Sequence, residues 1–108
     1  MITFDEFKNA EIKIGTILSA EKVPDADKLI KFMINLGEES PRQILSGISE
    51  YYPDPLVLVG KQVPVLANLP TRTIRGLESQ GMVLYAVGEG FLTTIEPGRE
   101  IPPGTPVH

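Results

Sequence analysis

The chain has no cysteine and no tryptophan, and its one histidine is the last residue, His108. Without cysteine there is no disulfide and no thiolate chemistry. Without a histidine pair, neither a zinc site of the usual ligands nor a serine–histidine relay can be assembled. Glu78-Ser79-Gln80-Gly81 has the outline of a nucleophile elbow, but Leu77 stands where its first glycine is needed. Gly88-Glu89-Gly90 lacks the third glycine and the following helix of a dinucleotide loop. The acidic pairs Asp25/Asp27 and Glu38/Glu39 fall in turns, where solvation is their ordinary state. The expectation is a non-enzyme with no cofactor and no metal.

Long apolar runs are missing too. Nothing approaches the roughly 18 residues that span a bilayer, and Met1-Ile2-Thr3-Phe4-Asp5-Glu6 lacks the basic start and apolar middle of a signal peptide. A cytoplasmic protein without membrane contact is expected. Positive charge is also short: 10 Lys and Arg stand against 14 Asp and Glu, a net charge of −4. A protein that coats nucleic acid indiscriminately depends on phosphate neutralisation, so that class is disfavoured. A local cationic site is still compatible, because Lys22, Lys28, Lys31, Arg42, Arg72 and Arg75 gather beside turns and strand ends.

What is present suits one small β domain over residues 1–108, with 42% hydrophobic residues. Such a chain buries roughly 60–70% of its unfolded surface, so association with a second copy is a natural source of further stability. Thr3 and Glu6 have the spacing of a capping box, and Phe4, Phe7 and Ala10 recur at helical spacing, which predicts a short N-terminal helix. The period then becomes two. Ile12, Ile14, Thr16, Leu18 and Ala20 would share one face of a long first strand, interrupted by Gly15, where a small barrel bends. Val23 to Leu29 predicts a turn and one helical turn capped by Asp25. Phe32, Ile34 and Leu36 carry the inner face of a second strand, and Gly37 to Pro41 closes a hairpin into a third, Arg42 to Ser46. Ile48, Tyr51 and Tyr52 are spaced for a short helix ended by Pro53-Asp54-Pro55, the tyrosines packing on the core. Strand four is Lys61 to Ala67 and strand five Gly81 to Val87, followed by a turn into Phe91 to Ile95. The proline-rich segment 96–108 is expected to be extended, lying on its own barrel or on a neighbouring subunit.

The link between strands four and five, Asn68 to Gln80, carries no acidic residue before Glu78 and holds Pro70, Arg72, Arg75 and Gly76. It presents polar side chains from a rigid base, as binding loops do. Three strands, a short helix and two strands is the order of the OB-fold, a five-stranded Greek-key barrel whose loops between strands one and two and strands four and five flank the ligand face. Lys28 belongs to the first of these loops and Arg72 and Arg75 to the second, while Arg42 opens strand three.

Ala26-Asp27-Lys28-Leu29, Arg42-Gln43-Ile44-Leu45-Ser46-Gly47-Ile48, Asn68-Leu69 with Arg72 and Arg75-Gly76, and Ser79-Gln80-Gly81-Met82 together resemble the tRNA-binding domain at the C-terminus of bacterial methionyl-tRNA synthetases. Similar domains occur as free-standing dimers and as synthetase subunits. The resemblance runs from Phe4 to about Pro103. It implies an OB-fold that grips tRNA by shape and backbone without catalysis, as a homodimer or beside a methionyl-tRNA synthetase catalytic chain. The match over the whole chain points to the free-standing or beta-subunit form. It also implies RNA-binding roles for Lys28, Arg42, Asn68, Arg72, Arg75, Ser79 and Met82. One departure stands out: where the family commonly has Lys-Pro-Arg-Lys after the Asn-Leu pair, this chain has Pro70-Thr71-Arg72-Thr73. Each lost phosphate contact to a single strand lowers the salt dependence of binding by about 0.7 in log–log slope.

Bland readings stand beside these. Asn68 is either a ligand contact or a turn residue bonding its own backbone. Arg72 and Arg75 either clamp phosphate and stack on bases or are solvated charges. Arg42 either reaches the ligand face or guards a sheet edge. Lys28 either binds or pairs with Asp25 and Asp27, Ser79 either bonds a sugar or not, and Met82 lies on a base or in the core. A chaperone-like peptide-binding barrel and a purely structural dimerisation module are the rival functions.

Overall fold

The computed structural model describes residues 1–108. Its organising strand is β1, Ile12–Lys22. It pairs antiparallel with β2, Ile30–Asn35, on one edge and with β4, Gln62–Leu66, on the other. The sheet continues through β3, Arg42–Ser46, beyond β2 and through β7, Met82–Val83, beyond β4, giving the order β3-β2-β1-β4-β7. Two small hairpins complete the chain: β5, Arg72–Ile74, with β6, Leu77–Ser79, and β8, Tyr85–Gly88, with β9, Phe91–Thr94. The strands curl into a nearly closed, barrel-like sheet of the OB type.

The inner face of β2 alternates as its sequence demands, with Ile30, Phe32, Ile34 and Leu36 all buried against Ile44, Val63, Val65 and Val83. Each such side chain contributes about 1.5–3 kcal/mol by leaving water. β1 departs from the expected alternation. Its pairing with β2 slips between Ile17 and Ser19, a bulge that turns Ile17 inward and leaves Leu18 47% exposed. An extra residue on one strand reverses which side chains face the core beyond it. Gly15 serves the coil differently: a Cβ there would lie 2.5 Å from Ile34 Cγ2.

The N-terminal helix α1, Phe4–Lys8, is present, with its Thr3–Glu6 capping box complete. The helical element after β3 is displaced from its expected place. Residues 48–51 form turns, and a 3₁₀ turn, Pro55–Leu58, begins where a helix was expected to have ended, capped by Asp54 Oδ1 accepting from the N–H of Leu56. Proline fits the first position of such a turn, because its missing N–H has no partner there anyway. Tyr52 packs against the core as expected, whereas Tyr51 is exposed.

The C-terminal segment folds back over its own barrel. Gln62 clips it, donating from Nε2 to the carbonyl of Ile101 at 2.7 Å and accepting at Oε1 from the Ile101 N–H at 3.0 Å. β10, Pro106–Val107, then pairs with Ile12 and Lys13 of β1. Gly104 has φ of +89°, and a Cβ there would meet the Leu36 carbonyl oxygen at 2.6 Å, so the tail can cross the end of β2 only at a glycine.

Candidate nucleic-acid interface

Val23 to Leu29 is a pair of turns rather than a helical turn. The N–H of Ala26 donates to Val23 O and that of Leu29 to Ala26 O, while the N–H of Val23 closes the loop onto Leu29 O. Asp25 does not cap a helix; it sits in the left-handed region at φ of 61°. The loop is pinned from beneath by Ser49. Its hydroxyl donates to the Asp27 carbonyl at 2.7 Å, and its N–H donates to the Lys28 carbonyl. Lys28 is therefore an exposed side chain on a fixed backbone. Nothing local in the sequence singles out Ser49, which lies 22 residues from the carbonyl its hydroxyl holds.

The segment read as the loop between strands four and five contains the β5–β6 hairpin. Arg75 and Gly76 form its two-residue turn, both at positive φ, 52° and 80°. This conformation matches the twist of a tight hairpin and normally selects Asn, Asp or Gly. The hairpin leans over the Val23–Leu29 loop, and Ile74 and Arg75 line one cleft of about 330 Å³ with Asp25 through Leu29. Lys28 and Arg75 thus converge across this cleft. Arg72 is exposed on the same hairpin. The ion pairs of the protein are Lys31–Glu21, Arg42–Glu38 and Lys61–Glu96, so Lys28, Arg72 and Arg75 are all free of them. Met82, 44% exposed on β7, stands apart from the cleft on the strand beside Leu66.

Arg42, Asn68 and Ser79, for which ligand contacts are expected, each make hydrogen bonds within the barrel. Arg42 Nη1 donates to the carbonyls of Ala67 and Gln80, while Nε and Nη2 grip both oxygens of Glu38 at 2.8 Å. That fork holds the Glu38 carboxyl below its ordinary range, and Glu38 in turn raises the guanidinium. Asn68 tethers the segment entering β1: Oδ1 accepts from the Glu11 N–H at 2.9 Å and Nδ2 donates to the Asn9 carbonyl at 2.6 Å. Ser79 is buried, with its hydroxyl accepting from the N–H of Leu45.

Two further residues, Gln43 and Gln80, complete this seam. The N–H of Gln80 donates to the Gln43 carbonyl, and Gln80 Oε1 accepts from the Gln43 N–H. Gln43 Nε2 reaches the Glu78 carbonyl at 2.9 Å. β3 and β6 do not form a regular ladder, and side-chain bonds join the one backbone bond of Gln80 to Gln43 across this seam. The Arg42–Ser46 and Ser79–Met82 motifs are thus hydrogen-bonded to one another.

Comparison with known proteins gives these features a family. A methionine–tRNA ligase of Enterococcus faecalis is 47% identical over 104 residues, covering 95% of this chain. One from Bacteroides fragilis is 48% identical over 107 residues and 98% of the chain. The chain spans 16% of the length of each. Among solved structures, a MetRS-related protein from Pyrococcus horikoshii superposes with a TM-score of 0.92 at 34% identity, covering 100% of this chain and 98% of that one. The chaperone CsaA of Bacillus anthracis superposes with a TM-score of 0.88 at 30% identity, covering 100% of this chain and 99% of that one. Residues 12–106 match the family model described as "Putative tRNA binding domain". By barrel, motifs and relatives alike, this chain belongs to the tRNA-binding domain family.

Proposed function

We propose that this domain holds tRNA non-catalytically beside a methionyl-tRNA synthetase in the cytoplasm, gripping the RNA backbone between Lys28 and the Arg72–Arg75 hairpin. The observation that carries the reading is the convergence of Lys28 and Arg75 on one cleft, with neither cation occupied by an internal partner. A guanidinium can take a phosphate with two parallel hydrogen bonds or stack on an unpaired base, and a lysine supplies a mobile point charge. Arg42, Asn68 and Ser79 serve this site by fixing the barrel under it. Met82, exposed on β7, offers a separate apolar contact away from the cleft.

The homodimer belongs to the same proposal. α1 buries none of its residues, and Phe4 is 73% exposed. Phe4, Phe7, Ile12, Pro106 and Val107 border one largely apolar groove. A second copy seated there would cover this face and present two RNA sites at high effective concentration.

Titration with tRNA at two salt concentrations tests the function. Affinity is expected to fall steeply with salt, and Arg72→Ala or Lys28→Ala to weaken binding while reducing the log–log slope by about 0.7–0.9 each, without loss of folded protein. Salt-insensitive binding of an extended peptide, with no response to tRNA, would support the chaperone-like alternative instead.

A further inference from the structure

The cleft shared by the two loops has a chemistry that a phosphate alone does not use. It is lined by Lys28 and Arg75, but also by Asp25 and Asp27, and by the apolar side chains of Ala26, Leu29 and Ile74. Its charges balance, with no ion pair between its acids and its bases. A backbone phosphate would engage only the two cations and leave both carboxylates without a donor. A neutral planar ligand that offers donors on one edge and acceptors on another is matched by all four groups and by the apolar lining.

We propose that this cleft takes a single unstacked guanine base of a bound RNA, one of the two aspartates accepting from its N1–H and N2–H₂ edge while Arg75 or Lys28 donates to O6 and N7. This rests on the RNA-binding reading and gives that site a base preference. Guanine alone carries paired acceptors at O6 and N7 together with an N2–H₂ donor. Adenine presents an acceptor and a donor where the arginine would seek two acceptors, and it lacks adjacent donors for a carboxylate. Single-stranded RNA exposes these edges, and proteins read it base by base in this way.

One more observation supports a built cleft. The loop that carries both aspartates is pinned by Ser49 through the carbonyls of Asp27 and Lys28, so its groups are held in place before a ligand arrives. A volume of about 330 Å³ lies in the range of small-ligand clefts and has room for one base.

Binding of oligouridylates about eight nucleotides long, within the span one OB barrel covers, tests this with a single central guanosine, inosine or adenosine. The guanosine oligomer is expected to bind about tenfold tighter than the all-uridine one, with inosine losing most of that gain because it lacks the N2 amine. Asp25→Asn and Asp27→Asn each replace one acceptor oxygen by a donor, and both sites are exposed, so the fold is retained. One of the two variants is expected to abolish the guanosine preference while leaving the all-uridine affinity equal or higher. Equal affinity for the three substituted oligomers, or a guanosine preference retained in both variants, would overturn the proposal. So would tRNA binding with no measurable binding of any oligomer, which leaves the tRNA reading standing. Failure of both tRNA and oligomers to bind would overturn the two together.

Discussion

The hydroxyl of Ser79 accepts the backbone N–H of Leu45 at 3.0 Å, across 34 residues of sequence, and donates in turn to the carbonyl of Gly81 at 3.2 Å. A side chain here does what a neighbouring strand does elsewhere in the sheet. Ser79→Ala leaves a buried N–H without a partner, at a cost of about 1–3 kcal/mol. Thermal unfolding should show it as a drop of several degrees, and tRNA affinity measured well below that transition should be unchanged. Weakened RNA binding at full stability would show that Ser79 also contacts the ligand.

Asn68 makes the same distinction by another route. Asn68→Ala removes both tethers on residues 9 and 11, about 0.5–1.5 kcal/mol each. The expected signature is faster amide exchange at Glu11 and a frayed N-terminal helix, with the salt slope of tRNA binding intact. Asn68→Asp keeps the acceptor but sets a carboxylate against the Asn9 carbonyl, so it should not restore stability.

Acid should loosen the brace between β3 and the carbonyls of Ala67 and Gln80. The Arg42 hydrogen bonds hold the Glu38 carboxyl below its usual 4.5. A carboxyl depressed by folding stabilises the native state above its unfolded pKa, and that contribution fades as pH falls through the lower folded value. The pair is partly exposed, so the effect is expected to be no more than about 1 kcal/mol. Denaturant unfolding as a function of pH should show Glu38→Gln less stable than the parent at neutral pH, with the gap closing below pH 4.5. A gap that persists at lower pH would mean the ion pair is not its source.

Dimerisation can be read from the groove beside α1. Phe4→Glu places a charge on its apolar wall. Sedimentation should then find a monomer where the parent is a dimer, and the parent's melting temperature should rise with protein concentration while the variant's does not. A parent that sediments as a monomer at all concentrations would remove the homodimer from the proposal.

The sequence announced the barrel more clearly than it announced the roles of its polar residues. Phe32, Ile34 and Leu36 face inward as their spacing requires, and the Thr3–Glu6 capping box forms because both partners lie within one turn. The slip at Ile17 has no such local mark, since which residue a strand leaves unpaired is settled by its neighbours across the sheet. The internal hydrogen bonds of Arg42, Asn68 and Ser79 are unmarked in the sequence for a similar reason. Their hydrogen-bond partners lie between 25 and 59 residues away, apart from Glu38 and Gly81, and only the closed barrel brings them within reach. The cations are a different case: Lys28 and Arg75 are exposed and line one cleft because their two loops lie at the same end of the barrel.

Because β10 returns to pair with the first residues of β1, His108 comes to rest on the groove that Phe4 also borders. The two extremities of the domain therefore meet on a wall formed by neither the Val23–Leu29 loop nor the β5–β6 hairpin. A short linker could join them and a new opening be cut at the Gly88–Gly90 turn, giving a circular permutant with the same barrel. By the same layout, the domain can be fused to a larger polypeptide through either extremity without a detour across the Val23–Leu29 loop or the β5–β6 hairpin.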